Sequence, residues 1–220
     1  MKDIAIYGAG GFGKEVACLI RRINESQAEP VWNFVGFFDD DPEKKGHMIS
    51  HFGHCLGGIE ELNGWPEKIG IAMAVGNPVS VKKIYDRISN TKVEFPNLIH
   101  PDFIISDPKS FSIGKGNIIQ GSCVATVDVS LGDFNVLNGS VVLGHDDKVG
   151  SFNSIMPAVR FSGQVQVGDC NFFGVGSIIL QQIKIGNCVR LGAGSVLMTN
   201  PKDGFLYAGN PAIKYFNNNN

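Results

Sequence analysis

The sequence predicts a small α/β domain followed by a long, all-β parallel helix. Three observations predict it. First, every sixth residue from Ile113 to Leu197 is apolar, fifteen positions in a row without a slip in phase. Second, eight of the residues directly after those positions are glycine: Gly114, Gly132, Gly144, Gly150, Gly168, Gly174, Gly186 and Gly192. Third, the first hundred residues lack this beat and alternate strand-like and helix-like stretches instead.

The first element is a strand over 3–7, carrying Ile4, Ala5 and Ile6. The glycine-rich run Gly8-Ala9-Gly10-Gly11-Phe12-Gly13 follows it, then a helix over 14–24 with Val16, Ala17, Leu19, Ile20 and Ile23 at helical spacing. A second strand over 35–38 ends in Asp39-Asp40-Asp41. A third over 71–75 ends in Gly76-Asn77. A second helix over 80–88 and an extended segment over 93–99 complete the unit. Strands alternating with helices make a parallel, Rossmann-like sheet whose ligands sit at the carboxyl ends of the strands. The run G-x-G-x-x-G between strand and helix is the pattern that brings backbone close to a phosphate at a helix N-terminus. Acidic residues after the second strand suit ribose hydroxyls. A nucleotide is the reading that follows; a tight turn packed on a helix is the plain one. The motif does not separate a dinucleotide from a sugar nucleotide.

The second element is the repeat. Six is neither a helical nor a simple strand period. It fits one short strand plus one turn, so three hexads close a triangular coil and fifteen close five coils, from Ile113 to Lys202. The apolar residue points inward, and the glycine after it is expected to take backbone angles other residues resist. Phe161 and Phe173 are inward positions, where the core must be wide. The expected boundaries are 1–99 for the first domain and 100–220 for the second with its tail. The terminal Asn217–Asn220 run reads as frayed low-complexity sequence.

Composition narrows the function. The chain has 220 residues, is 43% hydrophobic and 18% charged, and carries a net charge of −2. Nothing there points to nucleic acid or an anionic membrane. No apolar run approaches a transmembrane span, and Met1 leads almost directly into a strand, so no leader is expected. Five cysteines, odd in number and never spaced CxxC, read as reduced thiols of a cytoplasmic protein. His47, His51 and His54 have a metal-like spacing, but their lack of Cys or acidic partners favours solvated loop histidines.

One histidine lies within the repeat. His145 stands in Leu143-Gly144-His145-Asp146-Asp147, just past an inward leucine. An imidazole titrates near neutrality and serves as a general base, and Asp146 beside it is the natural orienting group. A single repeat histidine does not supply a three-histidine zinc site, so no metal is expected.

The order of motifs is more specific than any one of them. GAGGFG, then FFDDD, AVGN, NLIHP leading into hexads, GHD, and GNPA resembles the bacterial sugar acetyltransferases of the sialic acid O-acetyltransferase family. Within that family the sequence is most similar to the nucleotide-4-amino-sugar N-acetyltransferases of surface-glycan biosynthesis. The resemblance implies that the β-helix is left-handed and that the protein is a homotrimer with sites between subunits. It implies acetyl-CoA as co-substrate. His145 falls on the family's base and Asp146 on the acidic residue after it. Gly163, eighteen residues further and so at the same corner of the next coil, falls on the amide that faces the thioester carbonyl. Ser154, Val175 and Ala193 fall on cofactor contacts. Gly10, Gly11, Phe12, Asp39, Asp40 and Gly76 fall on sugar-nucleotide contacts. The chain departs from the pattern at Ser154, where relatives often have a second histidine, at Val81, where a basic residue can occur, and at Lys214, one place late in GNPAIK. Three competing functions remain: sugar O-acetylation, as of sialic acid; an NAD-dependent oxidoreductase; and a sugar-nucleotide-binding protein without catalysis.

Overall fold

The computed structural model describes residues 1–217, so Asn218–Asn220 of the terminal run lie outside it. It divides into two compact units, one from Met1–Gly76 and Ser80–Pro101, the other from Asp102 onward with the short piece Asn77–Val79.

The first unit is an α/β sheet. Its strands are β1 (Lys2–Tyr7), β2 (Trp32–Phe38), β3 (Met48–Ile49), β4 (Gly53–Gly57), β5 (Ile69–Met73) and β6 (Val93–Glu94). They are ordered β3-β4-β2-β1-β5-β6, parallel throughout except for the β3–β4 hairpin. Its helices are α1 (Gly11–Glu25), α2 (Ile59–Asn63) and α3 (Pro78–Arg87). Val16, Leu19 and Ile20 of α1 are buried, as are Ile4 and Ile6 of β1 and Ile71 of β5. The chain order reverses beside β1, so the Gly8–Gly13 run opens at the switch point of the sheet. The hairpin and α2 were not expected from sequence. His54 lies in β4, paired with Met48, so the expectation of three loop histidines is corrected there.

The second unit is a three-sided parallel β-helix. One face stacks Ile104–Ile105, Val124–Ala125, Val142–Leu143, Arg160–Phe161, Ile178–Ile179 and Val196–Leu197. The second stacks Ser112–Ile113, Ser130–Leu131, Lys148–Val149, Gln166–Val167 and Lys184–Ile185. The third runs from Ile118–Ile119 through Val136–Leu137, Ser154–Ile155, Phe172–Phe173 and Arg190–Leu191 to Phe205–Ala208, with Ile213–Asn217 added antiparallel at its end. Each two-residue strand ends on the inward apolar residue of its hexad. Burying such a side chain stabilises by about 1.5–3 kcal/mol. Phe161 and Phe173 meet edge to face inside the prism, 5.1 Å apart.

The coils extend beyond the unbroken beat at both ends. Ile104 pairs with Val124 at an offset of twenty, and Arg190 with Leu206 at sixteen. Everywhere between, the offset is eighteen, as in Ser130↔Lys148. Two extra residues in the first coil and two fewer in the last hide these strands from a strict six-residue count.

The corners differ from expectation in one respect. The fourth residue of each hexad takes the left-handed conformation: Gly116, Ser122, Asp128 and so on to Gly194, with φ from 55° to 68°. The glycines after the inward positions do not. They are required by close approach instead: a Cβ on Gly132 would lie 2.6 Å from Gly150 O, and one on Gly144 only 1.2 Å from Ser162 O. One corner is further tied by a ladder of buried asparagines, Asn117, Asn135, Asn153 and Asn171. Each Oδ1 accepts the amide of the residue eighteen on, and each Nδ2 donates to the carbonyl fifteen on, as Asn153 does with Asn171 N (2.9 Å) and Gly168 O (3.0 Å).

Candidate functional site

The corner after Val142–Leu143 carries His145. Its neighbour Asp146 occupies the left-handed corner position, at φ 61°, a conformation short polar side chains tolerate. From there its Oδ2 sits 2.7 Å from His145 Nδ1. With Nδ1–H donating to that carboxylate, Nε2 is the basic nitrogen of the ring. Both side chains are about half exposed, at 48% and 50%. Nε2 faces the next coil: a Cβ built on Gly163 would stand 2.3 Å from it. The imidazole therefore lies across Gly163, and only glycine leaves it that space. The next corner is fastened to this one by Gln164 N, which donates to His145 O at 2.7 Å. The structure thus brings His145, Asp146 and Gly163 together.

Sequence reasoning missed a fourth residue at this corner. Asp147 is fully buried. Its Oδ2 accepts from Gly144 N at 2.7 Å, and its Oδ1 from Val165 N at 2.9 Å. Burial pushes its carboxyl up to about 7, against the opposing effect of those two amides and of His145. Stepping by eighteen from it gives Val129 below and Val165 above, both buried. A carboxylate in an apolar column was the available signal.

Of the other β-helix positions, Val175 and Ala193 stack at a different corner of adjacent coils, where Gly194 N donates to Val175 O at 2.8 Å. Both are exposed, Val175 by 51%. Ser154 is not brought to either corner. It lies in the middle of its face, paired with Val136 and Phe172, and is only 2% exposed.

In the α/β unit the glycines of the 8–13 run and Gly76 divide by their surroundings. Gly8 (φ 113°) and Gly13 are packing glycines, whose Cβ atoms would fall 2.4 Å from Ala74 O and 2.0 Å from Gly8 O. Gly10, Gly11 and Gly76 have open space where a side chain would be. Gly10 caps α1 with no side-chain hydrogen bond, and no acidic residue stands in the first turn. That leaves amide donors and the positive end of the helix dipole facing outward, beside half-buried Phe12.

Asp39 and Asp40 already have partners. Asp39 Oδ2 accepts from Ala9 N (2.7 Å) and Lys44 Nζ (3.1 Å), holding the glycine run against the end of β2. Asp40 accepts from Tyr7 Oη (2.6 Å) and from Arg87 (2.7 Å). Burial alone would raise both carboxyls, but these donors outweigh it and hold each below the usual range. Burial, then the Asp40 contact, raises the Tyr7 phenol in turn. Asp39, Asp40, Asp41, Lys45, Glu61 and Arg87 line a cavity of about 410 Å³ at this end of the strands. His51 and His54 contact Ser50 and Gly46 O, and among the described residues no cluster of three His, Cys, Asp or Glu is placed to hold a metal.

Known proteins resemble this chain in sequence and fold. A family model for the PglD N-terminal domain matches residues 3–88. The acetyltransferase domain of PglB from Neisseria gonorrhoeae, solved in complex with acetyl coenzyme A, is 30% identical with a TM-score of 0.85, covering 97% of this chain and 99% of that one. The chain belongs to the hexapeptide-repeat sugar acetyltransferases. Its β-helix is accordingly the left-handed one, behind a small Rossmann-like α/β unit. PerB from Caulobacter crescentus, solved with CoA and GDP-perosamine, is 25% identical with a TM-score of 0.86, covering 98% of each chain. A curated member of the family, the UDP-N-acetylbacillosamine N-acetyltransferase of Bacillus subtilis, is 31% identical over 129 residues, 54% of this chain. That match spans about half the length of the curated relative, 51%.

Proposed function

We propose that this sugar acetyltransferase moves an acetyl group from acetyl-CoA to the amino group of a nucleotide-linked amino sugar, in surface-glycan biosynthesis. The observation that carries this reading is the imidazole of His145, oriented by Asp146 through Nδ1 and laid over Gly163 through Nε2. A base at one corner and a backbone amide at the corner above it fit acyl transfer. Residues 1–99 form the sugar-nucleotide domain, with Gly10, Gly11, Phe12, Asp39, Asp40 and Gly76 at its site. Residues 100–220 form the acetyltransferase domain.

Acetyl-CoA supplies the activated acyl carbon. Exposed Val175 and Ala193 offer it a corner to lie along, while Ser154, buried in the middle of its face, has little surface to offer it. His145 Nε2 accepts a proton from the attacking amine as the N–C bond forms. The Gly163 amide donates to the carbonyl oxygen as charge collects there, an effect worth about 3–4 kcal/mol in comparable sites. The C–S bond breaks, and His145 returns the proton to the departing sulfur. Asp146 holds the ring in the required tautomer throughout.

A homotrimer with sites between subunits completes the proposal. The face bearing Val142–Leu143 presents Ile104, Val124, Val142, Ile178 and Val196 outward, interrupted by Arg160, whereas the next presents Ser112, Ser130, Lys148, Gln166 and Lys184. His145 stands at the edge of the apolar face, where a second copy would close the site. Among the described residues no helix is long and apolar enough to cross a membrane. A cytoplasmic location is part of the same reading.

The test is CoA thiol release from acetyl-CoA against a panel of UDP-, GDP- and dTDP-linked 4-amino sugars and sialic acid. Release with one or more of the amino sugars, and not with sialic acid, is the expected result. Release with sialic acid alone would replace N- by O-acetylation, and none with any acceptor would overturn the reading. Light scattering should give the trimer mass; a stable, active monomer would contradict the shared site.

A further inference from the structure

The β-helix ladder is broken at one rung. Along the face that ends in the His145 corner, the amide after each inward residue donates to the coil above: Thr126 N to Leu143 O, Ser162 N to Ile179 O, Leu180 N to Leu197 O. The amide of Gly144 instead donates to Asp147 Oδ2. Strand pairing contracts with it: Val142–Leu143 meets Arg160–Phe161 only through Val142↔Arg160, while the pairs on either side have two partners each. The lost rung lies immediately before His145.

Asp147 otherwise behaves like a rung of the asparagine ladder. Its Oδ1 accepts the amide eighteen residues on, as each asparagine does. It differs in having no N–H to donate to the carbonyl fifteen on, which here is Ser162 O. Its second oxygen can only accept, and it takes the Gly144 amide. Valine occupies this column directly above and below, so the coil closes there without an ionisable group. A buried carboxylate whose hydrogen-bond donors are two backbone amides is destabilising, and the nearby His145 and Asp146 act on it in opposite directions. Such a departure from local consistency marks a functional position.

We propose that Asp147 is a positioning residue: it draws the Gly144 amide out of the ladder and so fixes His145 over Gly163. The carboxylate bridges the amide before the base and the amide two residues past Gly163, setting one corner against the other. This rests on the reading of His145 as the base.

The experiment compares wild type with Asp147→Asn, Asp147→Val, His145→Ala and the double variant His145→Ala/Asp147→Asn. Turnover is followed by thiol release from acetyl-CoA with a UDP-linked 4-amino sugar, and the imidazole by its ¹⁵N spectrum. Asparagine can complete the ladder as it does at the neighbouring corner. Asp147→Asn should therefore melt no lower than wild type yet lose about 10²-fold in kcat, the scale of a misplaced catalytic group, with the KM for acetyl-CoA within about twofold. The double variant should be no slower than His145→Ala alone, since Asp147 acts through His145. The His145 ring signals should shift in Asp147→Asn. Asp147→Val, which restores the apolar column, should show the same loss and serves if the asparagine variant does not fold. Wild-type kcat with an unshifted ring spectrum overturns the proposal, as does a double variant slower than His145→Ala by the full Asp147→Asn factor. If His145→Ala itself turns over like wild type, the base reading falls, and the ring spectrum alone decides whether Asp147 positions the imidazole.

Discussion

The two units treat their carboxylates in opposite ways. In the α/β unit, Asp39 and Asp40 are partly buried but gather several donors each, including Lys44 and Arg87, and their carboxyls sit below the usual range. In the β-helix, Asp147 is fully buried with two backbone amides as its hydrogen-bond donors, and its carboxyl rises to about 7. The difference teaches that burial does not by itself decide a carboxylate's charge. The donors gathered around it count as much: Ala9 N, Asp41 N and Lys44 hold Asp39 down, and Tyr7 and Arg87 hold Asp40 down, whereas two amides do not offset the complete burial of Asp147. The α/β unit uses its carboxylates to hold a loop; the β-helix uses one to open a ladder.

The sharpest way to break the comparison is at Gly163. Alanine there would place a methyl 2.3 Å from His145 Nε2, and the yielding atom is a side chain, not backbone. Gly163→Ala should therefore fold normally and lose at least about 10²-fold in kcat, as expected when a reacting group is displaced by about an ångström. Gly144→Ala is the contrast, since its Cβ would meet backbone at Ser162 O. Stability should fall by about 1–3 kcal/mol or more in denaturant titration, with activity lost as the coil shifts.

The pH dependence of stability separates the two units next. Asp147 has a folded value of about 7 against an ordinary 3.8, so between those values the folded state holds a proton the unfolded chain has released. Its contribution therefore declines as pH rises from about 4 to about 7, by about 4 kcal/mol in all, and is flat above. Asp39 and Asp40 have depressed values, so their contribution is present above the ordinary carboxylate range and is lost as pH falls through it. Melting curves should show Asp147→Asn gaining on wild type between pH 5 and pH 8, by about 2–4 °C for each kcal/mol. Parallel curves would remove the raised carboxyl from the account. The smallest effect is expected at Asp40, where Asp40→Asn should raise the KM for the nucleotide sugar several-fold with kcat within about twofold, a loss of uniform binding. A fall in kcat with KM unchanged would move Asp40 out of the binding role.

Much of this was legible in the sequence because a fixed period repeats one physical requirement. Every inward position is apolar, and the strands end on those positions. His145 stood out as the lone histidine of the repeat, and Gly163 came from the family resemblance, its place eighteen residues on agreeing with the period. What was not legible depends on contacts between coils. The left-handed corner residues include Ser122, Phe134, Ala158 and Cys188, side chains with no common preference, so stacking imposes that conformation. The first and last coils escaped because two residues added or removed shift the phase. Asp147 reads in sequence as one more acid in an acidic turn; only its column, between Val129 and Val165, shows it as buried. In the α/β unit the β3–β4 hairpin and α2 are short and glycine-flanked, too brief for periodicity to register.

The central claim is that His145, held by Asp146 and laid over Gly163, is the base that drives acetyl transfer. The most direct measurement is kcat for thiol release by His145→Ala beside wild type, with light scattering and a melting curve on the same samples. The account predicts a loss of about 10²- to 10⁴-fold in turnover, the range of general-base assistance, with mass and melting temperature unchanged. Near-wild-type turnover in a normally assembled His145→Ala protein would contradict it.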